Sequence, residues 1–302
     1  MHEGSRRAIV AALIANLGIA VAKIAAALIT GSASMVAESI HSLADTGNQG
    51  LLFLGGRRAR RPADANHQFG HGAERYFWAF VVALVLFSLG SLFSLYEGVQ
   101  KLRTPHAVQS PVVAFVVLGI AIVLESLSLR TAIGEAAEHR SDGWRAFIRN
   151  TKSPELPVVL LEDTGALAGL ALALIGLTLA VVTDEPRFDA IGSLAIGVLL
   201  SVIAVVLAVE MKSLLIGESA SVEEQDLLLS TLAESPEVRS VIHLRTLHLG
   251  PEELLVAAKL DFMASETTQL AGAIDAVEAR IRAAVPTANL IYLEPDLDRT
   301  RR

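Results

Sequence analysis

Apolar residues run almost unbroken through six stretches of the chain, at residues 9–30, 35–55, 77–99, 112–129, 156–182 and 188–209. About 20 such residues carry an α-helix across the hydrocarbon core of a bilayer, so the pattern predicts six membrane-spanning helices within residues 1–210. The connections at 31–34 and 183–187 are very short, as tightly packed antiparallel helices require. From about residue 211 the runs become amphipathic instead. Ser221 and Glu224 have the spacing of a capping box, opening a helix that ends near Pro236. Segments 238–249 and 254–263 alternate as two strands around a turn at 250–253, residues 266–284 return to helical spacing, and 289–293 form a short last strand. The order αββαβ predicts a ferredoxin-like α+β sandwich over residues 211–302. The expected fold is a mainly α membrane protein of six transmembrane helices, followed by this C-terminal domain.

Charge then orients the helices. The N-terminus and segments 56–76 and 130–155 hold twelve Lys and Arg residues, whereas the loops on the other side hold only Lys101, Arg103 and Arg187. Basic residues stay on the cytosolic side, so both termini and the tail domain are expected in the cytosol. The first apolar run follows MHEGSRR, lacks a small-residue cleavage site and is followed by further spans; it reads as a retained helix. Composition agrees, with 52% hydrophobic against 19% charged residues, a balance that suits lipid as the solvent. The net charge of −7 averages arginines clustered in short loops with acid concentrated in the last ninety residues, and nucleic acid is not an expected partner. The absence of cysteine excludes disulfides, thiolate metal sites and cysteine nucleophiles, so any metal must be held by His, Asp or Glu.

An ionisable side chain at mid-membrane costs on the order of 2.5–3.5 kcal/mol on insertion scales, so each one calls for a partner or a role. In the second span His41 and Asp45 stand one helical turn apart on one face. Such N and O donors suit zinc and its first-row neighbours; the alternative is a hydrogen bond that ties two helices together. The fifth span carries Glu162 and Asp163, which project about 100° apart, so only one can aim squarely at a given neighbouring helix. Asp163 is the first choice; Glu162 completes the shell, backs it, or faces another helix. Small residues nearby, Gly165, Ala166 and Gly169 among them, allow close approach. Lys23, Glu97 and Glu125 either line a path and tune proton affinity or, for Lys23 and Glu97 near span ends, snorkel to the interface. In the loop after the second span, Asp64, His67 and His71 have ligand-like spacing, or are a capping Asp with two solvated histidines.

The segments TGSASMVAESIHSLADTGNQ in the second span, PADANHQFGHGAERY in the loop and VRSVIHLRTLHLG in the tail, with the six-span layout, resemble the cation diffusion facilitator family, which includes the zinc transporters. The resemblance covers nearly the whole chain. It implies a homodimer that exchanges cytosolic metal for protons at a site between spans two and five, with His41, Asp45 and Asp163 on the family's ligand positions. Many members have His four residues before the span-five aspartate, where this chain has Val159; the Glu162-Asp163 pair resembles a divergent zinc-transporter branch. Asp64, His67 and His71 match the family's loop metal site. In the tail His243 fits a ligand position, but Lys259, Gly272 and Tyr292 stand where ligand histidines occur, and Glu294 keeps only an acidic group. The tail is therefore expected to dimerise rather than to hold a metal pair.

Metal binds neutral imidazole and ionised carboxylate, so protons and metal compete for the same atoms. That competition supports metal/proton antiport by alternating access, with efflux of a divalent transition-metal cation as the expected function. Zn²⁺ is the expected ion; the oxygen donors also admit Mn²⁺, Fe²⁺ and Co²⁺, and the lack of thiolates disfavours copper(I). A second reading is a membrane-anchored metal sensor or scaffold that binds the ion without carrying it. An intramembrane hydrolase is the weakest reading, because no H-E-x-x-H pair is present, and no enzyme activity is expected. A compact chain rich in Ala, Arg and Leu suggests a bacterial cell inner membrane.

Overall fold

The structure, a computed structural model, describes residues 3–31, 33–106, 108, 110–138, 143–144, 147–148, 151–264 and 266–298, without the side chains of residues 3–16, 33, 34, 37, 38, 41, 87, 135 and 138. The chain divides into two compact units, Met1–Gly56 with Phe77–Met211, and Arg57–Tyr76 with Lys212–Arg302.

The first unit is built from α1 (Glu3–Thr30), α2 (Ala33–Arg58), α3 (Glu74–Arg103), α4 (Pro111–Glu138), α5 (Glu155–Thr183) and α6 (Arg187–Ile216). Among the described residues α3, α5, α6 and the Pro111–Gly134 part of α4 are long and apolar enough to cross a membrane, and Leu17–Thr30 of α1 is a shorter apolar helix. The distribution of residue sizes argues for lipid. On α4, Ala114, Leu118 and Ala121 are buried, while Val112, Val116, Ile120, Val123 and Leu127 form an exposed aliphatic stripe. A stripe of that kind has no place in water but suits acyl chains, with small residues kept for helix contacts.

Small residues also set the closest helix approaches. A Cβ added at Gly98 of α3 would sit 2.7 Å from Leu194 of α6, and one at Gly197 of α6 would sit 2.7 Å from Leu95. Ser91 donates to the Gly197 carbonyl at 3.0 Å, and Ser193 to the Ser94 carbonyl at 3.0 Å. Ser91 lies within Leu86–Leu92, where α3 widens into π-helical turns, and Ser94 lies just after it. The α5–α6 hairpin is short because Asp184 takes the left-handed conformation, φ 57°, immediately after α5. Lys101 donates to the carbonyl of Gly31, φ 61°, at 2.5 Å, so this loop-side lysine caps the end of α1.

In the second unit α7 (Val222–Ala233), β1 (Val238–Gly250), β2 (Glu253–Phe262), α8 (Thr267–Ala284) and β3 (Leu290–Pro295) follow in the order that the sequence pattern predicts. Ser221 caps α7 reciprocally: Glu224 N–H donates to Ser221 Oγ at 3.1 Å, and Ser221 N–H to the Glu224 carboxylate at 3.0 Å. The sheet order is β1-β2-β3, with β1 antiparallel and β3 parallel to β2. Alternate residues of β2, Leu254, Val256, Ala258 and Leu260, are buried with Leu228 and Leu232 of α7 and Val277 and Ile281 of α8.

Candidate metal sites

Helical periodicity places Ser42, Asp45 and Gln49 on one face of α2, and that face borders a cavity of about 20 Å³. This is room for about one water or one bare cation. The rest of the lining is Ile19 of α1, Glu125 of α4 and Val159, Glu162 and Asp163 of α5. Four carboxylates from three helices therefore face one small void. Two are fastened by neutral donors: Asn48 of α2 donates to Glu162 at 2.6 Å, and Ser128 of α4 donates to Asp163 at 2.9 Å. Lys23 of α1, fully buried, lies 4.0 Å from Glu125. Ser42 Oγ, on a residue that lines the void, is buried with no hydrogen-bond partner among the described residues. Buried polar atoms normally have one, so the void is lined for a polar or charged occupant.

The structure thus brings Asp45, Glu162 and Asp163 together. The angular split between Glu162 and Asp163 is used rather than wasted, because Glu162 reaches α2 and Asp163 reaches α4 around the same void. The α2 backbone carries His41 one turn before Asp45, and the His41 side chain lies outside the described residues. Val159, one turn before Asp163, lines the cavity and offers no donor. Sequence reasoning raised Glu125 without assigning it, and did not find Asn48 and Ser128. The usable signal was spacing: Asn48 follows Asp45, and Ser128 follows Glu125, at helical intervals of three.

In the second unit, Asp64 organises its loop through an Asx turn. Its Oδ1 accepts from the backbone N–H groups of Asn66 and His67, both at 2.8 Å. Those two bonds hold the Asp64 carboxyl below the usual aspartate range. His67 Nδ1 lies 3.4 Å from Oδ1 and His71 Nε2 lies 3.5 Å from Oδ2, with the ring centroids 4.5 Å apart. One donor atom from each residue falls within 4.8 Å of the others, as a shared small cation requires. Gly70 at φ 87° makes the bend that returns His71 to Asp64, and His71 Nδ1 is buried without a partner among the described residues. Gly72 packs against the β1–β2 turn, where a Cβ would meet the Leu249 carbonyl at 2.9 Å.

The tail positions behave differently. His243 is exposed, and its neighbour across β2 is Lys259. The Lys259 ammonium binds Glu294 at 2.9 Å and Asp296 at 3.1 Å. A tethered cation thus serves the acidic groups there. Sequence reasoning passed over His248, the buried histidine of β1, which lies 3.9 Å from Glu224.

Residues 9–216 match the family described as the cation efflux transmembrane domain. The chain is 33% identical over 243 residues to the mitochondrial proton-coupled zinc antiporter SLC30A9 of Mus musculus, covering 80% of this chain and 43% of that protein. It is 32% identical over 263 residues to metal tolerance protein C4 of Arabidopsis thaliana, covering 86% of this chain and 58% of the plant protein. Against the cation-efflux pump FieF of Cronobacter sakazakii it is 30% identical over 251 residues, covering 83% of this chain and 79% of the pump. The chain spans about half the length of the mouse and plant relatives. A family match across the whole helical unit, carried by a chain with lipid-suited helices, settles its membership: this is an integral membrane protein of the cation diffusion facilitator family, zinc-transporter-like, whose members are transporters and not enzymes.

Proposed function

We propose that this protein exports a divalent transition-metal cation, zinc by preference, in exchange for protons. The observation that carries the reading is the convergence of Asp45, Glu162 and Asp163 from α2 and α5 on one cavity of ionic size. His41 on α2 supplies the nitrogen donor that favours zinc over the harder ions. Val159 leaves one ligand position without a donor, and Glu162 fills the shell from the same helix; these oxygen donors extend tolerance toward Mn²⁺, Fe²⁺ and Co²⁺.

Cargo binds when the carboxylates are ionised and the imidazole is neutral, and leaves when protons take those atoms. The neutral clamps, Asn48 on Glu162 and Ser128 on Asp163, hold the carboxylates in place without cancelling their charge. In the proposed six-span arrangement both termini and the 211–302 domain face the cytosol, as the basic-residue asymmetry supports. Alternating access is a rocking of α2 and α5 against the other helices, which exposes the site first to the cytosol and then to the acidic side. Asp64, His67 and His71 bind a second ion that is not carried. The working unit is a homodimer joined through the tail domain, in a bacterial inner membrane.

Zinc uptake into inverted vesicles, measured with and without an imposed proton gradient, tests this reading. Uptake that rises with the gradient is expected. Robust uptake indifferent to the gradient sinks antiport, and zinc binding without any flux returns the protein to a sensor or scaffold.

A further inference from the structure

Glu125 lines the void but is not among the proposed ligands Asp45, Glu162, Asp163 and His41, and Lys23 pairs with it. Lys23 is fully buried on α1 and stands one helical turn after Ile19, so it shares the face of α1 that borders the void. Its ammonium is 4.0 Å from Glu125 Oε1, at the outer limit of an ion pair and beyond hydrogen-bond length. Glu125 lines the void beside Asp45, Glu162 and Asp163. Whereas Asn48 and Ser128 fasten Glu162 and Asp163, no hydrogen bond fastens Glu125 among the described residues. An ion pair kept only for packing is expected to close to hydrogen-bond contact, since a loose buried pair returns little for its desolvation. This one is loose, and its acidic member faces the cargo.

Resting on the transport reading above, we propose that Lys23 and Glu125 are a resident counter-ion pair of the cargo site. The α1 ammonium holds the Glu125 carboxylate while cargo is away, and a divalent cation takes that carboxylate over when it binds. Glu125 is then a direct ligand supplied by α4, making up for the missing donor at Val159. Lys23 is a positioning residue that sets how tightly the site holds cargo. With four carboxylates at the void and one lysine beside it, removing the lysine leaves one more uncompensated negative charge to attract the ion, whereas removing Glu125 leaves an ammonium that repels it.

The test is zinc flux by the full chain in proteoliposomes, with the half-saturating zinc concentration and the maximal rate read separately. Glu125→Gln is expected to raise half-saturation about tenfold or more, in the range set by losing a metal-site partner. Lys23→Gln is expected to lower half-saturation severalfold and to slow the maximal rate, because cargo leaves a more negative site less readily. A pair that serves only folding changes the amount of reconstituted protein and leaves half-saturation within twofold in both variants; that result overturns the proposal. Should either neutral variant fail to fold, the exchange Lys23→Glu with Glu125→Lys keeps an ion pair but puts an ammonium on the cavity wall. It is expected to fold and to lose flux by about 100-fold or more, and wild-type half-saturation in the exchanged protein overturns the proposal. Asp163→Asn separates this inference from the transport reading beneath it. Flux that survives Asp163→Asn removes the cargo site itself, whereas flux lost in Asp163→Asn with unchanged half-saturation in the two pair variants removes only the role of Lys23 and Glu125.

Discussion

The void among α1, α2, α4 and α5 and the Asp64–His67–His71 cluster use the same donor chemistry under opposite solvation. In the void, Glu162 is buried and fastened by Asn48. In the loop, Asp64 is more than half exposed, and its geometry comes from its own backbone through an Asx turn. A charge in a low-dielectric site interacts several times more strongly than one in water. Each donor around the void is therefore expected to matter more than each donor of the loop cluster. The proposed exchange of metal for protons draws on the buried set, because protons and metal compete for the same donor atoms. A site that only binds can use the exposed one.

The comparison breaks most visibly at Asp45 and Asp163. Asp45→Ala and Asp163→Ala are each expected to lower zinc flux by more than about 100-fold, beyond the range for outer partners of a metal site. Flux in proteoliposomes measures it. A loss of only a few-fold in either would mean that the void is not where cargo binds.

Next in size are the clamps. Asn48→Ala and Ser128→Ala leave every carboxylate in place but release Glu162 and Asp163 from their donors. Each is expected to raise half-saturating zinc about tenfold with a smaller change in maximal rate, as outer partners of a metal site do. An unchanged half-saturation in both would show that the carboxylates are positioned without them.

The loop cluster sharpens the other side. His71→Ala and Asp64→Ala each remove one of three donors from an exposed site. Equilibrium dialysis of the full chain with zinc is expected to show one ion fewer per chain, with flux within about threefold of the unaltered protein, consistent with the small energies of solvated charge sites. A collapse of flux with bound zinc unchanged would reverse the roles of the two sites.

Much of this was legible in the sequence, for reasons that differ by element. Unbroken apolar runs gave the α3, α4, α5 and α6 positions, because lipid leaves a helix no choice but to satisfy its own backbone. The tail order was legible because period-2 strands and a capping box are local signals, and Ser221 and Glu224 meet as their spacing predicts. Asp45, Glu162 and Asp163 stood out because ionisable groups are rare inside apolar runs. Asn48 and Ser128 did not, since uncharged polar residues are common in membrane helices and their partners lie 114 and 35 residues away. Nor did the sequence show that Glu162 would face α2 while Asp163 faced α4. That depends on the rotation of α5 about its own axis, which three-dimensional packing decides.

The smallest expected effect concerns the tail, at Glu224 in the first turn of α7. The His248 ring 3.9 Å away, followed by the capping bonds of Ser221, draws the Glu224 carboxyl down from 4.5 to about 2. A depressed carboxyl contributes stability that is fully present above the unfolded value of 4.5 and is lost as pH falls toward 2. After allowance for partial exposure the contribution is on the order of 1 kcal/mol. Glu224→Gln keeps an acceptor for the Ser221 N–H but has no charge to lose. Hydrogen exchange at the α7 amides of the full chain is therefore expected to be modestly faster in Glu224→Gln than in the unaltered protein at pH 6, with the difference fading by pH 3 once intrinsic exchange rates are divided out. A difference that persists unchanged down to pH 3 would assign the loss to altered capping geometry instead of to the charge beside His248.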